Sequence, residues 1–216
     1  MPATRLLVGS FNPGKVAEVR AALAAAGIGL PVMALKEVQG APIYVEKGAT
    51  FEENAVGKVL HYSRYGRDLT LTDDSGLCVD ALGGEPGVRS ARYGTVEKVE
   101  DAVRYRYLLD ALRDVPDDRR GASFYCVLAL GRWGRLVKTF TGECRGRILR
   151  EPRGEGGFGY DPVFQHEATG CTFAEMTTQE KQRVSHRGAA LAQLADYLKG
   201  LESPLTGKTI TLPRAD

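Results

Sequence analysis

Apolar positions along the chain alternate between short continuous runs and stripes at helical spacing. Leu6-Leu7-Val8 is a run of strand length, and it is followed by apolar positions at Val16, Val19 and Leu23. Between them, Asn12 suits a helix N-cap and Pro13 the first helical position, while Gly27 suits the stop. Val32 to Leu35 suits a second short strand. Thr50-Phe51-Glu52-Glu53 has the capping-box pattern, and the stripe Phe51, Ala55, Val59 and Tyr62 predicts a helix to about Tyr65. Two apolar runs follow, Leu69 to Leu71 and Leu77 to Leu82, with Asp73-Asp74-Ser75-Gly76 between them. Glu97 to Leu112 reads as an amphipathic helix with Val99, Val103, Leu109 and Leu112 inward. Ala122 to Leu130 is apolar on both alternating faces, as a central strand requires. Arg132-Trp133-Gly134 turns it into an antiparallel partner, Leu136 to Thr141, and Gly142 to Leu149 suits a further strand. Thr177 to Ser185 predicts a short helix. Ser185 then caps a last helix with the stripe Leu191, Leu194, Ala195 and Leu198. The tail from Ser203 holds a candidate edge strand, Thr209 to Leu212.

The 216 residues are enough for one large domain or two small lobes sharing a core. A hydrophobic content of 43% and a charged content of 26% are ordinary for a soluble globular protein. The net charge of +2 gives no argument for nucleic-acid or membrane binding. Cys78, Cys126, Cys144 and Cys171 are far apart and form no metal-type spacing, so reduced thiols in a cytoplasmic protein are expected. The N-terminus runs straight into Arg5-Leu6-Leu7-Val8 with no visible signal peptide, and no apolar run approaches a membrane span. No internal repeat or linker divides the chain.

Three stretches carry candidate chemistry. Asp is a poor strand residue, and the pair Asp73-Asp74 between apolar runs is a local conflict of the kind found at functional sites. Its plain structural reading is a turn completed by Ser75 and Gly76. Lys15 stands in the first turn of a helix, where the dipole disfavours a cation unless an anion sits above it. Gly9, Gly14 and Lys15 match most of a P-loop, but Val16 stands where Ser or Thr should ligate magnesium, and Pro13 removes a backbone donor. The segment therefore reads as phosphate-binding without being a true P-loop. Gly154 to Phe164 holds four glycines within six residues, with Phe158 and Tyr160 among them. Such a loop either anchors a strand or makes room for a planar base. His186 and Arg187 repeat the cationic helix start seen at Lys15, with Lys181 nearby. Together these suggest a polyanion held between helix ends.

These segments resemble the inosine triphosphate pyrophosphatase family. The matching pieces are Ser10 to Lys15 with Glu18, Thr50 to Ala55, Asp73 to Leu77 and Val79 to Gly84. They continue with Pro86 to Val88, Ser90 to Tyr93, Gly157 to Pro162 and Ser185 to Gly188. They keep the family's order over about residues 5 to 200. The resemblance implies an α/β fold, with an elongated mixed sheet, flanking helices and two lobes around a central nucleotide cleft. It implies one nucleoside-triphosphate pyrophosphatase domain over residues 1–202, a tail over 203–216, and a cytoplasmic homodimer acting without nucleic acid or membrane. The implied activity is magnesium-dependent hydrolysis of ITP, dITP and XTP to the monophosphate and pyrophosphate. By position, Asp74 matches the general base. Asp74 also matches a metal-linked carboxylate, and Glu46 is the nearest match to the family's second; beside the resemblance, the carboxylate oxygens of Asp73 suit the same hard cation. Ser10, Phe11, Asn12, Pro13, Gly14 and Lys15 match phosphate contacts. Ser75, Phe158, Gly159, Tyr160, Asp161, Lys181, His186 and Arg187 match other substrate contacts. The rivals are a P-loop ATPase or kinase using Asp73, a non-catalytic nucleotide-binding module, and a related family acting on pyrimidine or modified nucleotides. Val16 argues against the first, and Ser185-His186-Arg187 argues for the purine branch.

Overall fold

Strand β1 (Leu6–Val8) is buried along its whole length and pairs in parallel on both sides. Leu6 lies opposite Val32 in β2 (Val32–Ala34) and opposite Leu69 in β3 (Leu69–Val79). A strand with parallel neighbours on both edges is covered on both faces, which is why its sequence is continuously apolar. Residues 5–65, 69–95 and 100–201 are described in this computed structural model. Helix α1 (Pro13–Ala25) makes the crossover from β1 to β2, and α2 (Phe51–Tyr62) precedes β3. The chain continues through α3 (Asp101–Ala111), β4 (Gly121–Arg132), β5 (Arg135–Ile148), β6 (Phe164–His166), α4 (Thr178–Val184) and α5 (His186–Leu201). The sheet order is β2-β1-β3-β4-β5-β6, and β5 pairs antiparallel with β6, so the six-stranded sheet is mixed.

The chain divides into two compact units. One comprises Met1–Asp74, Val127–Thr141 and Ala190–Asp216; the other comprises Ser75–Cys126 and Gly142–Ala189. The second unit has its own core, built from Leu77, Val79, Leu108, Phe124, Phe164 and Phe173 among others. In the first, Ala55 and Val59 of α2 pack with Val127 and Ala129 of β4.

Four sequence expectations change. Asp73-Asp74 is not a turn but the middle of the eleven-residue strand β3. Gly142 to Leu149 is not a separate strand, because β5 runs unbroken for 14 residues. Helix α3 buries Arg104, Leu108 and Leu112, spaced by four, while Val103 and Leu109 are only half-buried. Arg104 shifts the face because its guanidinium donates to the Ala91 carbonyl at 3.2 Å and pairs with Asp101, although its Nε is buried without a hydrogen-bond partner. The Thr50 hydroxyl accepts from Glu53 N–H as a cap should, but the Glu53 carboxylate accepts from Ala49 N–H rather than closing the box. The expected turn at Trp133-Gly134 is present, with φ of 54° and 74°, the pattern of a type I′ hairpin. Val99 and the strand expected at Thr209 to Leu212 lie outside the described residues.

Candidate active site

Side chains alternate along a strand, so Asp73 and Asp74 leave β3 on opposite faces. Asp73, 6% exposed, meets the Lys15 ammonium from the first turn of α1. Asp74, 7% exposed, shares its face with Thr72, whose hydroxyl donates to the Ala55 carbonyl of α2 at 2.7 Å. Asp74 Oδ1 accepts from Lys58 Nζ at 2.8 Å, and Oδ2 accepts from Asn54 Nδ2 at 3.2 Å. Lys58 also donates to Glu46 Oε1 at 2.7 Å. Asn54 Oδ1 accepts from Gly48 N–H at 2.8 Å. A backbone N–H can only donate, so this bond sets the amide and leaves Nδ2 for Asp74.

Two carboxylates thus share one ammonium, and the set has more acid than base. Burial pushes the Asp74 carboxyl up; Lys58 pulls it back, but Glu46 repels it, and the result stays above the usual carboxylate range. Burial pushes Lys58 down, yet Asp74 and Glu46 outweigh that and raise it. The two partners shift upward for different reasons: Asp74 chiefly because it is desolvated, Lys58 because two carboxylates face it. Oxygen donors converging on one ammonium also suit the hard donor preference of magnesium. Asp73, Asp74 and Glu46 do not form one three-carboxylate set, since strand alternation turns Asp73 to Lys15. Among the described residues no group of three or more His, Cys, Asp or Glu side chains could hold a metal.

The expected phosphate loop is braced by hydrogen bonds of its own. Asn12 Oδ1 accepts from Gly14 N–H at 2.8 Å and Lys15 N–H at 3.4 Å, and Ser10 Oγ accepts from Asn12 N–H at 3.2 Å. The amides at the start of α1 are therefore already engaged, and Pro13 has none. Phe11 is 56% exposed. The Lys15 ammonium at this helix start meets the Asp73 carboxylate.

The second unit holds the other expected residues. Arg187, at the start of α5, donates from Nη2 to Ser75 Oγ at 2.7 Å. Its guanidinium lies 5.6 Å from the Phe158 ring centroid, and the Lys181 ammonium lies 4.5 Å from the same ring. Lys181 pairs with Asp161, whose Oδ2 also accepts from Phe158 N–H at 2.8 Å. Ser185 caps α5 by accepting from Gly188 N–H at 3.1 Å. A Cβ at Gly188 would lie 1.7 Å from the Gln182 carbonyl oxygen, so only glycine lets α4 and α5 meet this closely. Gly159 N–H donates to Asp101 on α3.

Two of the expected contacts also pack against the aromatic core. Tyr160 is 3% exposed, and its hydroxyl donates to the Ser90 carbonyl at 2.8 Å. Burial pushes that hydroxyl well above its ordinary pKa. His186 stacks on Phe124 at 4.7 Å with rings 9° from parallel. Both aromatic rings gain more from the apolar cluster than from solvent. Lys58 escaped the sequence reading. Its signal was a lysine four residues from Asn54 and from Tyr62, on the face carrying Ala55 and Val59.

The fold and these side chains define an α/β protein with a buried carboxylate–ammonium set in one unit and an aromatic–cation set in the other. The Ham1 family profile matches residues 6–197, and the chain belongs to that family. The dITP/XTP pyrophosphatase of Geobacter sulfurreducens is 45% identical over 201 residues, covering 92% of this chain and 100% of that protein. The protein of the same name from Mycobacterium tuberculosis is 46% identical over 201 residues, 92% of this chain and 97% of its own. The solved structure of a HAM1 protein from Coxiella burnetii superposes with a TM-score of 0.81 at 38% identity, covering 91% of this chain and 98% of that one.

Proposed function

We propose that this protein hydrolyses deaminated purine nucleoside triphosphates, ITP, dITP and XTP, to the monophosphate and pyrophosphate. The observation that carries the reading is Asp74, a buried carboxylate held by Lys58 and Asn54 and raised in pKa by its surroundings. Relatives that match along nearly their whole length are named dITP/XTP pyrophosphatases. In this reading Asp74 takes a proton from water as the water oxygen bonds to the α-phosphorus. The bond from the α-phosphorus to the bridging oxygen breaks, and pyrophosphate leaves. Lys15 and Lys181 offset negative charge on the substrate. Ser10 and Asn12 meet the phosphates, while Ser75, Phe158, Asp161 and Arg187 meet the nucleoside.

Asp74 and Glu46 are the residues that would hold magnesium, because they already converge on one cation. Magnesium, when bound, screens the triphosphate charge and orients the leaving group. The reading extends to a cytoplasmic homodimer on the family resemblance. Sedimentation of the full chain tests the dimer.

The deciding experiment is a screen of nucleoside triphosphates with magnesium, reading pyrophosphate and orthophosphate separately. Pyrophosphate from ITP, dITP and XTP, lost on chelation, is the expected result. Orthophosphate as the product, or no turnover of any nucleotide, overturns the reading.

A further inference from the structure

The strap from Pro42 to Ala49 lies lengthwise along α2, running against it. The Pro42 carbonyl bonds His61 Nε2 at 2.9 Å, and Tyr44 N–H donates to the Tyr62 hydroxyl at 3.0 Å. Glu46 then meets Lys58, Gly48 meets Asn54, and Ala49 meets Glu53. Every second residue from Tyr44 to Gly48 faces the helix, while Ile43 and Val45 point out, 75% and 64% exposed. The register of this zip decides whether Glu46 reaches Lys58.

One glycine sits in the helix under the strap. Gly57 is interior to α2, where alanine would favour the helix by about 0.5–1 kcal/mol. A Cβ there would lie 2.0 Å from the Tyr44 hydroxyl oxygen and 2.7 Å from the carbon that bears it. A glycine in such a position marks a close approach. The Tyr44 ring end occupies the space that any larger residue would fill.

We infer that Tyr44 is a positioning residue: seated on the bare backbone of Gly57, it holds the strap in the register that delivers Glu46 to Lys58 beside Asp74. The Tyr44 ring fills the space that Gly57, with no side chain, leaves open, and the pair acts on the site through Glu46 of the strap. The inference rests on the reading of Asp74 and Glu46 as the magnesium carboxylates. Outer partners that orient such ligands typically change metal affinity about 10- to 100-fold when altered.

The test is magnesium binding to the full chain by titration calorimetry, with inosine binding measured alongside. Gly57→Ala and Tyr44→Ala should each weaken magnesium binding about tenfold, with inosine affinity unchanged. The double variant should bind no worse than Tyr44→Ala, since without the ring the added methyl meets nothing. Helix propensity alone predicts the opposite sign for Gly57→Ala, a gain in melting temperature with no functional loss. Unchanged magnesium binding in Gly57→Ala, strictly additive losses, or equal losses for inosine each overturn the inference. Glu46→Gln separates the two levels. If Glu46→Gln weakens magnesium binding while Gly57→Ala does not, the positioning role fails alone. If Glu46→Gln leaves magnesium binding intact, the magnesium reading itself fails.

Discussion

In the proposed reaction, Asp74 is the side chain whose loss should cost most. Asp74→Asn keeps the shape, lets Asn54 keep an acceptor, and leaves Glu46 to satisfy Lys58. Turnover should fall about 10²- to 10⁴-fold, the usual loss for a general base, while the fold survives. The pKa sets the sign for stability. A carboxyl raised on folding contributes stability below its unfolded pKa, and that contribution is lost as pH rises through the raised value. At pH 8 the asparagine lacks that loss, so the variant should melt no lower than the native protein. Pyrophosphate release and a melt at pH 8 check both parts; full turnover in the variant removes Asp74 from the mechanism. In the proposed reaction, Arg187 is the residue that would set the base preference. It is 3% exposed and has only donors. Hypoxanthine and xanthine offer an oxygen at purine position 6, whereas adenine offers an amino group. A site built for one such bond can reject the analogue without it by up to roughly 10⁴–10⁵. Arg187→Ala should therefore lower ITP turnover and shrink the ITP-to-ATP ratio together. Loss on ITP with an unchanged ratio would make Arg187 a general electrostatic residue.

The hairpin between β4 and β5 is the element most open to improvement. Trp133 has φ of 54°, a region where a bulky residue is strained by roughly 1–2 kcal/mol. Its compensation is the Arg132 guanidinium, 4.1 Å from the ring centroid. At a ring 59% exposed that contact contributes only about 0.5–1 kcal/mol. Strain therefore outweighs stacking. Trp133→Asn creates the Asn-Gly pair that type I′ turns prefer. It should stabilise the protein by up to about 1 kcal/mol, or roughly 2–4 °C in melting temperature for a chain this size. Denaturant titration measures it, and a lower midpoint would show that the indole does more than the stacking accounts for.

For the whole molecule, ligand binding is linked to unfolding. A non-hydrolysable ITP analogue with magnesium, at a hundredfold excess over its Kd, should stabilise the native state by about 2.7 kcal/mol. At this chain length that is a rise of roughly 5–10 °C in melting temperature. The ATP counterpart at the same concentration should raise it less. Equal rises with both would argue that the protein binds triphosphates without reading the base.

Local pattern by itself determined β1, the caps of α1 and α5, the stripe of α2, the β4–β5 hairpin and the residue types of the candidate site. Those features depend on neighbours within a few positions: Asn12 capping Gly14 and Lys15, Ser185 capping Gly188, Thr50 capping Glu53. Tertiary structure alone decided partnership. Asp73 and Asp74 are adjacent in the chain, but strand alternation sends one to Lys15 and the other to Lys58. Tyr160 was expected at a base and His186 at a polyanion, and only the fold revealed that Tyr160 joins the apolar core and His186 stacks on Phe124. The neighbour of Lys181, the Asp161 carboxylate twenty residues away, was likewise visible only in the fold. Lys58 was invisible because a lysine on an apolar face has meaning only once two carboxylates meet it. A charged group in the interior takes its role from whichever opposite charge the fold brings within about 4 Å, and sequence distance carries no record of that.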